Sequence, residues 1–346
     1  MSATAVSAQD SAPPEEFLHP PRPLIDREDV PACPVCRGAQ FEEFAAGYDY
    51  ELLTCANRWR FVECARCGHV WLNPRPAIAA LGVIYPSTYY AYNYDRINPL
   101  ARRAKELLDR RKMAGILRHC PAHPRSYLDV GCGDGRFLRL MESRGVPRAA
   151  LYGLELDRGV VASLRERGYT GVFCERAEDA ASLPEGGIDL VTMFHVIEHV
   201  DNPGAVVGRI RGWLSPGGVL ALETPNLDSL DARMFRRTYW GGHHIPRHWN
   251  LFTPKTLGRL LEDNGLQVVS TVFQTGHSFW MYSLHHLVRF GQGSRPRAGA
   301  WFDPTRSLFG VAAFTAFDLI RGRLGCKTSA MLVICRKPGA DGGRSG

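Results

Sequence analysis

Beyond residue 125 the chain alternates two patterns. Short apolar runs at residues 126–130, 151–154, 172–174, 188–194, 219–222 and 267–273 are separated by longer stretches. In those stretches apolar residues fall on one helical face, as Phe137, Leu138 and Met141 do. Runs of four to eight read as buried strands, and the 3.6-residue period reads as helix. Strands alternating with helices predict an α/β fold with a mostly parallel sheet. Asp201 or Asn202 before Pro203 predicts a capped helix start, and Thr253 and Pro254 open another helix that Gly265 closes. Upstream, Leu100, Ala104, Leu107, Leu108, Ala114 and Leu117 keep helical spacing. They predict an amphipathic helix within a linker or cap over residues 77–122.

The front of the chain follows another logic. Cys33-Pro34-Val35-Cys36 is followed by Cys64-Ala65-Arg66-Cys67. Two residues between paired cysteines let both thiolates reach one ion from a tight turn, and two such knuckles fill a tetrahedral zinc site. Gly38 and Gly68 suit the turns that follow, and residues 51–53 and 59–63 are short and strand-like. Residues 31–76 therefore predict a small ribbon that depends on its metal to fold. With four sulfur ligands and no open position the zinc is expected to be structural.

Residues 1–30 are rich in Ala, Ser, Pro and acidic residues, without the apolar core of a signal peptide. They predict a disordered leader, and residues 339–346 a disordered tail. No apolar run reaches the ~20 residues of a spanning helix; the longest candidate is 307–320. Ten cysteines without a secretory signal point to metal or free thiols in a reducing cytoplasm. The formal charge of +7 comes largely from arginines scattered along the chain, which read first as a solvated surface.

The first strand runs into Gly131-Cys132-Gly133-Asp134-Gly135. A dinucleotide fingerprint would need a third glycine where Arg136 stands. Glu155, about twenty residues beyond the glycines at the end of the second run, is placed to accept ribose hydroxyls. The set D-V-G-C-G-D-G, G-L-E-L-D, I-D-L-V-x-x-F-H-V-I-E-H-V and L-S-P-G-G, in order from Asp129 to Asn226, resembles the class I S-adenosylmethionine-dependent methyltransferases. The resemblance implies a Rossmann-like, seven-stranded sheet over residues 123–338. Its last strand, at 330–335, would run antiparallel. It also implies S-adenosylmethionine over the first two strands. Asp129, Gly131 and Gly133 would hold the methionine part, Glu155 the ribose, and Ala177 and Glu178 would sit at the adenine edge, with Phe194 also among the cofactor-binding residues. Many members carry aspartate where Arg176 falls.

Two insertions complete the layout, 227–252 and 277–329. The first holds Tyr239-Trp240-Gly241-Gly242-His243-His244-Ile245-Pro246-Arg247-His248 and is expected to carry acceptor contacts. A histidine has the pKa a general base needs, and His248 is the leading candidate, followed by His199 and His195. Glu198-His199 resembles part of the metal motif of ubiquinone-pathway and small-RNA methyltransferases, so a second ion through His195, Glu198, His199 and His248 is conceivable. The second insertion is expected to roof a bulky or lipid-linked acceptor, touch a membrane peripherally, or add a core layer. Cysteine knuckles, tyrosine-rich residues 85–94 and a late P-R-H-x-N-x-F-T-P segment resemble a bacterial subgroup associated with sugars, polysaccharide precursors and secondary metabolites. O-methylation of such a small molecule leads. RNA methylation, with Arg58, Trp59, Arg60 and Arg66 gripping nucleic acid, is the alternative. A scaffold that binds cofactor without catalysis is the third reading.

Overall fold

The computed structural model describes Phe17 and residues 20–86, 99–293 and 295–339. It divides into two compact units. A sheet unit takes Ser87–Thr224, Pro254–Phe273 and Ala330–Gly346; a cysteine unit takes Met1–Pro86, Pro225–Thr253 and Gln274–Ser329. From residue 87 on, the tyrosine-rich run 85–94 lies outside the described residues.

The sheet unit is built on seven strands: β1 Tyr127–Val130, β2 Leu151–Leu154, β3 Val172–Phe173, β4 Ile188–Phe194, β5 Leu214–Pro225, β6 Gln267–Gln274 and β7 Ala330–Arg336. Their order is β6-β7-β5-β4-β1-β2-β3. The pairs β5/β4, β4/β1, β1/β2 and β2/β3 are parallel. Buried on both faces, the central strands need continuous apolar runs, which Tyr127, Leu128, Leu190, Val191, Leu220 and Leu222 supply. Gly217, at φ 78°, donates to the Lys337 carbonyl while the Lys337 amide donates to Gly218. That is the bulge of an antiparallel pair, and only glycine takes its φ without strain. The chain runs outward from β1 to β3, then returns to place β4 on the other side of β1. At such a switch point the carboxyl ends of the strands leave a crevice for ligand.

The helix Pro99–Leu117 buries Met113 and Ile116, while Leu107 and Leu108 stay exposed. Leu117, of the expected stripe, also packs against the core, and Lys112 and Asp109 are ion-paired to Glu223 and Arg136. Asn202, not Asp201, caps the helix Pro203–Trp213, its side chain accepting from the Ala205 amide.

In the cysteine unit the strands Phe41–Gly47, Trp59–Cys64, Val70–Leu72 and Asn250–Leu251 form one antiparallel sheet. Residues 51–53, expected as strand, form a turn: the Asp49 carboxylate accepts from the Leu52 and Thr54 amides, and Leu53 takes a positive φ. Asp at such a position competes for backbone donors and favours a turn. The strand lies earlier, at Phe41–Gly47. The edge at Asn250–Leu251 comes from the first insertion and pairs with Trp71 and Val70. Trp59, Phe61, Leu72, Trp240 and Trp249 form the core beneath. The described part of the leader expected to be disordered, residues 20–30, is tied down instead. Ile25 and Asn57 exchange two hydrogen bonds, and the Val30 amide donates to Asn73. Partners so distant leave no mark on local composition.

Candidate cofactor, catalytic and metal sites

The glycine turn emerges from β1 at the switch point. Amides of Gly131 and Cys132 both donate to the Leu154 carbonyl, clipping the turn to β2. Gly131, Gly133 and Gly135 all take positive φ. A Cβ on Gly131 would sit 2.5 Å from Val196, and one on Gly135 2.6 Å from Leu164, so those two are closed by packing. At Gly133 nothing lies within 4 Å. There the backbone is bare toward open space, as a site for close ligand approach requires.

Two carboxylates flank it. Glu155 accepts from the Gly133 amide at 2.9 Å and from Leu156 and Asp157 at 2.7 and 3.1 Å. Asp129 is buried and accepts from Thr192 Oγ1 at 2.8 Å; that hydroxyl also meets Tyr127 at 2.5 Å. Burial dominates and pushes the Asp129 carboxyl up to about 7, with the Thr192 hydrogen bond opposing. A carboxylate desolvated this strongly gains from any cation brought beside it. Ala177 is buried, and Phe194 packs edge-on to Phe137 at 4.9 Å. Arg176 bonds Glu178 at 3.2 Å and Asp201 at 2.9 Å, and so ties the loop after β3 to the loop after β4.

After β4 the chain turns sharply at His195, which takes φ 55°. A non-glycine residue there is strained and calls for compensation. Its amide donates to the Glu223 carbonyl at 2.8 Å. Its ring lies between two buried carboxylates, Nδ1 3.2 Å from Glu198 and Nε2 3.5 Å from Glu223. Desolvation opposes a charge on the ring, but the two carboxylates prevail and raise His195 to about 9. Glu198 also accepts from Thr224 Oγ1 at 2.9 Å, and Glu223 from Lys112. Despite burial, Lys112 and His195 hold Glu223 down to about 2. The His195 side chain remains 44% exposed. The result is a protonated, accessible imidazole on an ionised base. Sequence reading named His195 and His199 but missed Lys112 and Glu223. A carboxylate at the end of a parallel strand was a signal for Glu223; Lys112, one cation in a basic helix, gave none.

In the cysteine unit the knuckles share one geometry. The Arg37 amide donates to the Cys33 carbonyl and the Gly68 amide to the Cys64 carbonyl, each at 2.9 Å. The left-handed residue is Arg37 in the first knuckle and Gly68 in the second. Gly38, expected in that role, serves otherwise: its missing Cβ leaves room for sulfur, 3.3 Å from Cys64 Sγ and 3.4 Å from Cys36 Sγ. The four sulfurs lie within 4.8 Å of one another, with Cys33 and Cys67 3.6 Å apart and Cys36 and Cys64 3.5 Å apart. Tetrahedral thiolates at about 2.3 Å from zinc stand about 3.8 Å apart, so the set fits the ion.

The P-R-H segment lies in the same unit. Arg247, fully buried, donates to both Asp49 oxygens at 3.0 and 2.8 Å and to the Ile84 carbonyl at 2.8 Å. His244 meets the buried Glu51 at 2.5 Å. Asn250 meets His69 Nε2 at 3.2 Å. His248 is buried, and its Nδ1 donates to the Gly242 carbonyl at 2.8 Å. His248 thus belongs to the cysteine unit and His195 and His199 to the sheet unit.

The strand order and the glycine turn at its switch point define a Rossmann-like fold of the class I methyltransferase type. A family model described as a methyltransferase domain matches residues 92–271, and the chain belongs to that family. It is similar to a trans-aconitate 2-methyltransferase of Methylobacterium nodulans, 35% identical over 37% of this chain and 49% of the relative. Here the chain spans about half the relative's length. A ubiquinone biosynthesis O-methyltransferase of Neisseria meningitidis is 27% identical over 46% of this chain and 71% of its own. Among solved structures, a SAM-dependent methyltransferase from Archaeoglobus fulgidus aligns with a TM-score of 0.43 at 20% identity, covering 67% of this chain and 94% of that one.

Proposed function

We propose that the chain transfers a methyl group from S-adenosylmethionine to an oxygen of a small-molecule, sugar or polysaccharide-precursor acceptor. We further propose that its four cysteines hold a structural zinc ion. The observation that carries the first reading is Gly133, open to space where its two neighbouring glycines are closed. The family match and the small-molecule names of the relatives support it.

Bound cofactor supplies an electrophilic methyl group on a sulfonium. Asp129 would take the α-ammonium, which relieves the cost of its buried carboxylate. Gly131 and Gly133 would admit the methionine chain. Glu155 would exchange the Gly133 amide for ribose hydroxyls, and Ala177, Glu178 and Phe194 would border the adenine. His195, held protonated, is assigned as a hydrogen-bond donor that stabilises negative charge, not as a base. His199 would position that loop. His248 is assigned as the base that receives the acceptor's proton. For zinc, the observation is the four-sulfur cluster, which leaves no coordination position for substrate.

Labelled-methyl transfer to cell extract, separated into RNA, lipid and small-molecule fractions, tests the reading. Label is expected outside the RNA fraction, and label confined to RNA overturns the acceptor class. His248→Gln keeps a hydrogen bond but cannot carry off a proton. It is expected to lower turnover by ~10²–10⁴ at nearly constant cofactor affinity. Turnover near wild type would return His248 to a purely structural role.

A further inference from the structure

Within the cysteine unit, the helix Leu308–Arg323 is inside out. Its polar side faces the protein. Asp318 is buried and accepts from the Gly276 amide at 2.9 Å, from Trp280 Nε1 at 3.3 Å and from Arg321 at 2.9 Å. Arg321 also lies 5.7 Å over the Trp280 ring and donates to the Lys327 carbonyl at 3.0 Å. Phe314 stacks on Trp280, and Gly310 comes so close to Met281 that a Cβ would sit 2.6 Å from its methyl. These contacts fix the helix's rotation.

The opposite half of the helix faces out and is apolar. Leu308, Phe309, Phe317, Leu319 and Ile320 are exposed, Phe309 at 83%, with Leu324 just beyond the last turn. By helical spacing they share about half the circumference with small alanines. Arg323 is the charged residue on that half. Contiguous exposed apolar area of this kind marks an interaction surface.

The surrounding charge and shape indicate what covers it. Once the Asp318–Arg321 pair and Lys327, which lies 2.5 Å from Asp228, are set aside, residues 295–327 carry Arg295, Arg297, Arg306 and Arg323 against Asp303. Asp303 lies 3.5 Å from Arg306. Trp301, upstream of the helix, is 76% exposed. A helix with an apolar outer half, an arginine in its last turn, further arginines just ahead of it in the chain and an exposed tryptophan upstream has the chemistry of an in-plane element at an anionic bilayer surface. Among the described residues no helix is long and apolar enough to cross a membrane. We infer that the outer half of Leu308–Arg323, with Trp301, seats this protein on anionic lipid. The inference does not depend on methyl transfer.

Sedimentation of the full chain with lipid vesicles tests it. Wild type is expected to bind phosphatidylcholine vesicles containing phosphatidylglycerol at least tenfold better than pure phosphatidylcholine, and less well in high salt. The double variant F309E/I320E should lose at least tenfold in binding. Its circular dichroism and melting should be unchanged, because both side chains are exposed. Absence of wild-type binding to either vesicle, or unchanged binding by the double variant, overturns the inference. So does a lipid-free dimer that F309E/I320E dissociates, which would give this face to a second copy of the chain.

Discussion

Asp49 and Arg247 stand 198 positions apart, and both side chains are fully buried. Glu155 and the Gly133 amide stand 22 apart, and Glu198 and His195 only three, in turns that open to solvent. The cysteine unit gathers buried polar partners over long sequence distances: Asp49 with Arg247, Glu51 with His244, Asn250 with His69. The Asp49 carboxylate is paired on both oxygens, while Glu51 Oε1 and His69 Nδ1 keep no hydrogen-bond partner among the described residues. The sheet unit draws its polar groups from strand ends and leaves them unfinished. Asp129 holds one hydroxyl and a carboxyl raised to about 7, His195 is charged and accessible, and Gly133 is bare. Satisfied buried pairs hold structure together, while strained or partly satisfied groups retain interaction energy for a ligand.

The most severe test of the contrast is metal. Chelation, or Cys36→Ser or Cys64→Ser, is expected to remove one zinc per chain and destabilise the cysteine unit by an amount on the order of the ~10 kcal/mol seen when zinc folds small domains. Metal analysis and calorimetric melting measure this, and unaltered zinc content in both variants would break the four-cysteine assignment. Next is Arg247→Met, which strands the Asp49 carboxylate and should cost about 3–5 kcal/mol in urea unfolding. A loss below ~1 kcal/mol would mean the pair is not the clamp it resembles.

Gly133→Val probes the other unit. A β-branched side chain at a positive φ fills the open approach, so micromolar affinity for the demethylated cofactor, worth about 8 kcal/mol, should fall beyond calorimetric detection while zinc content stays the same. Unchanged binding would move the cofactor elsewhere.

The smallest effect is a pH dependence. Without ligand, Asp129 is protonated below about 7 although an unfolded aspartate ionises near 3.9. Its raised pKa makes the ligand-free fold less stable as pH rises from about 4 to about 7, after which the penalty is constant. A bound ammonium favours the ionised form. Cofactor affinity should therefore rise by up to about tenfold per unit as pH climbs toward 7, then level off. Titration calorimetry from pH 5.5 to 7.5 would show that slope, and Asp129→Asn should flatten it. A slope that survives the substitution belongs to another group.

Wherever local structure is tied to fixed spacing, the sequence alone was enough. The knuckles, the glycine turn, Glu155 at a strand end and the strands of the α/β sheet all depend on residues a few positions apart, because turns and strand ends are short-range objects. The tertiary structure alone decided the rest. It made Arg37 the left-handed residue of the first knuckle, joined Asn250–Leu251 to the front sheet, paired Arg247 with Asp49, and set Lys112 and Glu223 around His195. It also turned the charged side of Leu308–Arg323 inward, where periodicity could report only an apolar run. Burial and charge pairing act through space, and a partner nearly 200 residues away leaves no trace in the local pattern.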